Sequence, residues 1–148
     1  MKFVALLLAF IAAILGYMLY AQKTSHTKFG LEMQAKCAAQ ARVAFKDMGY
    51  KPDDPVGYAN HYSEKLNKCF MKVEFSGPTP PSNSLFTHKH LLDAYEGKTY
   101  GDMFASWDET RNQPHMMTCK VTPLSGSEQN CQDEAEFDRI AEVYLVSP

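Results

Sequence analysis

The chain has 148 residues, with 15 basic and 17 acidic side chains and a formal net charge of −2 at neutral pH. No basic stripe interleaved with aromatic residues occurs, so the composition disfavours nucleic-acid binding. The length that remains after the first 21 residues suffices for one hydrophobic core and not for two, which predicts a single small domain.

An uncharged apolar run opens the chain, from Phe3 to Ala21, and Lys2 precedes it. A secretory signal usually has an apolar region of roughly 7–15 residues, whereas a membrane-spanning helix needs about 17 or more. This run is longer than the usual signal and only slightly longer than the minimum for a span, so residues 1–21 are either a retained signal-anchor helix or a cleaved signal peptide. The polar residues 22–30 then form a short tether, and residues 31–148 form the domain.

All four cysteines follow the apolar run; they are Cys37, Cys69, Cys119 and Cys131. Four thiols in so small a domain are typical of an oxidising compartment, where disulfides persist. The spacing contains no C-x-x-C pair, so a zinc knuckle has no support. We therefore expect a domain that is delivered across a membrane and held by two disulfides.

A helix is predicted from Leu31 to Met48, with Gly49 as its stop. Its apolar positions recur with the helical period and include Cys37, which therefore points inward. Two strands are predicted next, at 57–62 and 67–75. The second strand alternates, with Cys69, Met71, Val73 and Phe75 on one face and Phe70 among the charged residues of the other. Two inward cysteines predict a Cys37–Cys69 bond.

Residues 76–83 are rich in proline and are predicted to leave the sheet as a surface crossing. A hairpin of strands 84–94 and 99–107 follows, with Gly97 in its turn where a positive φ is needed. The last predicted strand is 116–121, with Met117, Cys119 and Val121 on one side.

The final segment predicts an amphipathic helix. Asp133 and Glu136 are spaced as a capping box, and the apolar stripe that follows is Phe137, Ile140, Ala141, Tyr144 and Leu145. Cys131 lies just before this cap, which predicts a Cys119–Cys131 bond. The expected fold is α+β: a single antiparallel sheet of about five strands with two helices packed on it in two layers, preceded by the N-terminal membrane helix.

Two histidines, His88 and His90, are two residues apart in a predicted strand, so their rings should project from one face. This is the spacing by which a strand offers two ligands to zinc or copper. The third ligand stays open among His61, His115, Asp93 and Asp102. The plainer interpretation is a solvent-facing histidine pair beside Lys89, and no cofactor is otherwise expected.

Aromatic residues of the strand region predict a ligand-binding surface, formed by Tyr58, Tyr62, Tyr100 and Trp107. The alternative is that most of these side chains belong to the core. No catalytic motif is present, so the sequence favours a binding protein over an enzyme without deciding between them.

Several short segments resemble a group of small exported bacterial proteins of unknown function; they are 60–62, 65–70, 119–131 and 136–138. The resemblance implies a bacterial envelope setting. The domain would face the periplasm from the inner membrane, in contact with lipid through residues 3–21, or would be periplasmic or secreted if these are cleaved. The expected function is a non-catalytic module that binds a protein, a glycan or a small envelope ligand. The alternative is a metal-binding protein or hydrolase that uses His88, His90 and His61.

Overall fold

The computed structural model describes residues 14, 17, 28–50, 53–79, 84–108 and 113–146. The chain divides into two compact units, Met1–Met33 and Gln34–Pro148. Apart from Ile14 and Tyr17, the predicted membrane segment lies outside the described residues. Among the residues that are described, no helix is both long enough and apolar enough to cross a bilayer.

The second unit is built on one antiparallel sheet in which each strand pairs with the next in the chain. The strands are β1 (Val56–Ser63), β2 (Lys68–Thr79), β3 (Ser84–Asp93), β4 (Thr99–Asp108), β5 (Gln113–Val121) and β6 (Gln129–Asn130). The α+β class is confirmed, but the sheet has six strands rather than about five. The extra strand forms because the backbone N–H of Cys131 donates to Cys119, which holds the returning chain against the end of β5.

The described helices are α1 (residues 28–47) and α2 (Glu134–Leu145). Within the second unit, α2 and residues 34–47 of α1 pack on this sheet. Cys37 of α1 is bonded to Cys69 of β2, whereas α2 covers Phe70, whose ring contacts Tyr144. Because adjacent residues of a strand point to opposite faces, the helices lie on opposite sides. The domain therefore has three layers and not the expected two, since Phe70 is a large apolar side chain that needs cover on the second face.

Both predicted disulfides are present. The Cα atoms are 5.3 Å apart in Cys37–Cys69 and 5.1 Å apart in Cys119–Cys131. The first bond joins α1 to the beginning of β2, and the second joins β5 to the segment that leads into α2. Each helix is thus tied covalently, directly or through its leading segment, to the sheet that it covers.

The α2 stripe is buried as predicted at Phe137, Ile140, Ala141 and Tyr144, while Leu145 is partly exposed. The start of the helix resembles a capping box. Asp133 accepts from the backbone N–H of Glu136, and the Glu136 carboxylate accepts from the backbone N–H of Gln132, the residue before the cap, both at 2.8 Å. Gly49 follows the C-terminal end of α1 and has the positive φ that is common just after a helix.

One correction concerns residues 76–79, which continue β2 instead of leaving the sheet. The backbone N–H of Ser76 donates to Pro55, so the even-numbered residues here direct their N–H groups toward β1. Because β1 begins at Val56, it does not run beside Pro78, and the missing donor of this proline costs nothing.

A second correction concerns β5, where the register shifts opposite Phe104 and Ala105. This bulge turns Met117 out of the predicted apolar row, and its side chain is 60% exposed. Met116 packs against the core in its place. Cys119 and Val121 lie beyond the bulge and are buried as predicted.

Candidate functional site

The two histidines of β3 lie on the face that α1 partly covers. His90 pairs across the sheet with Val73, and Val73 shares its face with Cys69, which is bonded to α1. The ring centroids of His88 and His90 are 6.2 Å apart. The predicted common face of the two rings is therefore present in the structure.

The neighbouring strand β4 supplies a carboxylate to this pair. Asp102 stands directly opposite His90, and its Oδ1 lies 2.8 Å from His88 Nε2 and 3.2 Å from His90 Nδ1. We call these three residues the histidine–aspartate cluster. All three side chains are partly exposed, at 30–39%, so the cluster is accessible from solvent.

The other three candidates for the third position lie elsewhere. His61 pairs with Phe70 and so lies on the opposite face of the sheet. Asp93 is buried and forms an ion pair with Lys68 at 2.8 Å. His115 is exposed on β5, opposite Ser106. Of the four side chains that the sequence left open, only Asp102 contacts the histidine pair.

The charge of the cluster follows from these contacts. Partial burial raises the pKa of Asp102, but the hydrogen bonds with His88 and His90 outweigh burial, and the net result is a pKa below the ordinary value. Asp102 is therefore ionised at neutral pH. Thr99 Oγ1 lies 3.4 Å from His90 Nε2, so the second nitrogen of this ring is also held.

A row of aromatic rings borders the cluster on the same face. Phe75 and Phe86 are 5.1 Å apart, Phe86 and Phe104 are 5.6 Å apart, and Phe104 meets His88 edge-on at 6.0 Å. We call Phe75, Phe86 and Phe104 the aromatic row; all three rings are half-buried. Phe75 and Phe86 were not predicted as site residues, although Phe86 shares the alternation of His88 and His90.

The four aromatic residues predicted to bind a ligand are dispersed. Tyr58 packs against Phe45 of α1, and Tyr62 is buried with its hydroxyl bonded to Asn67. Tyr100 packs on the opposite side of the sheet against Phe70 and Tyr144. Trp107 is 39% exposed near the end of β4. Within the described part of the chain, no ring contact joins any two of these four.

Lys89, which stands between the two histidines in the sequence, is buried on the α2 side of the sheet. Its Nζ lies 2.6 Å from Asp138 and 2.7 Å from Glu134, both on α2. Lys72 also reaches Asp138, at 3.1 Å. These ion pairs hold α2 against the sheet, on the face opposite the histidine–aspartate cluster.

Comparisons of the chain with protein-family models, with curated proteins and with solved structures returned no match. The chemistry of the site therefore rests on its own geometry. Two imidazoles and an ionised carboxylate converge at a half-exposed surface, where they can form hydrogen bonds or coordinate an ion.

Proposed function

We propose that the protein is an exported, non-catalytic binding module of the bacterial envelope, and that its partner is another protein. The binding surface is the histidine–aspartate cluster together with the aromatic row. The observation that carries this proposal is the position of His88, His90 and Asp102 beside Phe86 and Phe104 on one sheet face, where all five keep part of their surface in solvent.

Export is supported by the two disulfides, because such bonds persist in oxidising compartments and are rare in the cytosol. The apolar run over residues 3–21 would direct the chain into the membrane for export, either as a helix that anchors the domain in the inner membrane or as a signal that is removed. The domain would face the periplasm in the first case and would be periplasmic or secreted in the second.

A protein partner is supported by the kind of surface. Aromatic rings are enriched in protein interfaces because they bring a large contact area at little entropic cost. The rings of the aromatic row lie side by side on the neighbouring strands β2, β3 and β4. Small molecules favour enclosed pockets, whereas a strand surface of this kind suits a protein.

Photo-crosslinking in intact cells tests whether this surface binds a protein partner. A photoreactive phenylalanine analogue at position 86 or 104 should crosslink to one defined protein after illumination. The matched control carries the analogue at Val143, which is exposed on α2 and therefore on the opposite side of the domain. Equal adducts at all three positions, or none at 86 and 104, would contradict the proposal; a glycan adduct would assign the surface to another ligand class.

Intact mass measurement of the protein from cell envelopes tests export. All four cysteines should resist alkylation before reduction and react after it. A full-length mass would assign residues 1–21 as an anchor, and loss of these residues would assign them as a signal. Thiols that react without reduction would contradict export.

A further inference from the structure

The histidine–aspartate cluster has the spacing of a metal site. With metal–nitrogen and metal–oxygen bonds of about 2.0–2.1 Å, neighbouring ligand atoms lie about 2.9–3.4 Å apart in octahedral to tetrahedral geometry. The carboxylate Oδ1 of Asp102 lies 2.8 Å from one imidazole nitrogen and 3.2 Å from the other. The three ligand atoms all lie within 4.8 Å of one another, so small side-chain rotations would let all three reach one ion.

The types of side chain narrow the choice of ion. Two imidazoles with one carboxylate suit first-row transition metals, whereas magnesium and calcium prefer sites made of oxygen alone. Thr99 contacts the second nitrogen of His90, as outer partners of metal-bound histidines do.

One lysine stands near the histidine–aspartate cluster, but its ammonium group pairs with another carboxylate. Lys120 of β5 stands opposite Asp102 in the register, and its ammonium group is the cation that would compete for this carboxylate. Its Nζ is instead 3.4 Å from Glu128. Among the residues that the structure describes, no ammonium group therefore pairs with Asp102.

We propose that His88, His90 and Asp102 bind one divalent transition-metal ion of the zinc and copper class. Three protein ligands leave at least one coordination position open, and the partial exposure of the cluster turns that position toward solvent.

Titration calorimetry of the purified full chain in detergent, with intact disulfides and with zinc or copper salts as probes, tests this proposal. One ion should bind per chain. Asp102→Asn and His88→Ala should each weaken binding about 100-fold or more, because loss of an outer partner alone typically costs about 10–100-fold. The control His115→Ala removes an exposed histidine of the same sheet and should bind as the unmodified protein does.

Absence of stoichiometric binding, or equal affinity in Asp102→Asn and His115→Ala, would overturn the metal site. Copper offers a second test that needs no variant. Its paramagnetism should broaden the nuclear magnetic resonance signals of residues 88–90 and 102 before those of other residues. Broadening centred elsewhere would also overturn the proposal. This inference does not rest on the protein partner: the titration uses the purified protein alone, so either proposal can fail while the other stands.

Discussion

Asp138 shows how a single side chain fixes the docking of a helix. Its carboxylate lies 2.6 Å from Lys89 Nζ and 3.1 Å from Lys72 Nζ, and Lys89 is only 4% exposed. Burial lowers the pKa of Lys89, but the hydrogen bonds with Asp138 and Glu134 raise it more, so the net pKa is raised and the buried ammonium stays charged. A buried charge of this kind needs its partners.

Replacing Asp138 by Asn should therefore lower the free energy of unfolding by about 1–3 kcal/mol. This range lies below the cost of breaking a fully buried ion pair, because Asp138 is itself partly in water and Glu134 remains beside Lys89. Denaturant unfolding measures the change. Glu142→Gln, an exposed position of the same helix, should change little, and equal losses in the two variants would contradict the role of Asp138.

Acid should destabilise the fold through the same residue. For Asp138, burial raises the pKa, but the hydrogen bonds with Lys89 and Lys72 lower it below the ordinary value. The pKa of Asp102 is also lowered. These carboxylates therefore bind fewer protons folded than unfolded, and their stabilisation is complete above the ordinary carboxyl pKa of about 4 and is lost as the pH falls through the lowered values.

Unfolding free energies measured from neutral pH downward should thus decline below about pH 4. The decline should be shallower in Asp138→Asn, which has lost one of the two groups. Parallel curves for the variant and the unmodified protein would show that the acid sensitivity arises elsewhere.

At the scale of elements, α2 lies very close to the sheet over Gly101 of β4. A Cβ atom at this position would lie 2.9 Å from Phe137 Cε2 and 3.3 Å from Val121 Cγ2. The ring of Phe137 is fully buried and cannot swing into solvent. Glycine is therefore required here by the close approach of the helix to the strand.

Gly101→Ala should lower the free energy of unfolding by about 1–3 kcal/mol, the usual cost of an added carbon in a filled core. Gly57→Ala is the matched control, because it is also a strand glycine and a Cβ there would meet nothing within 4 Å. Thermal unfolding of the two variants provides the comparison. If Gly101→Ala is as stable as Gly57→Ala, then α2 is not held at the distance described.

At the scale of the whole molecule, the two disulfides act on opposite sides of the sheet. Cys37–Cys69 spans 32 residues and holds α1, whereas Cys119–Cys131 spans 12 residues and holds the segment before α2. A crosslink stabilises mainly by restricting the unfolded chain, and the restriction grows with the length of the closed loop. The first bond should therefore contribute more.

Removing the first bond with Cys37→Ala and Cys69→Ala should cost about 4 kcal/mol, and removing the second with Cys119→Ala and Cys131→Ala about 3 kcal/mol. Denaturant unfolding of both double variants under oxidising conditions measures the difference. A larger loss from the shorter loop would contradict this order, and peptide mapping without reduction checks the pairing independently.

Much of the fold could be predicted because its signals are local. The period of 3.6 residues predicted both helices, and alternation predicted that Cys69 and Phe70 face opposite ways. Inward cysteines on a helix and a strand predicted the first disulfide, and the position of Cys131 just before the last helix predicted the second. Strand ends were less predictable. Pro78 stays in β2 because β1, which begins at Val56, does not extend beside it. Met117 leaves the apolar row because of a bulge against β4.

The candidate site divides in the same way. The sequence by itself determined that His88 and His90 share a face, because a strand has a period of two, and that the cysteines could be paired. Only the tertiary structure decided that Asp102, rather than His61, Asp93 or His115, completes the cluster, and that Lys89 lies beneath α2. The reason is that strand register and the face on which a helix docks depend on contacts between distant segments, which no local pattern contains.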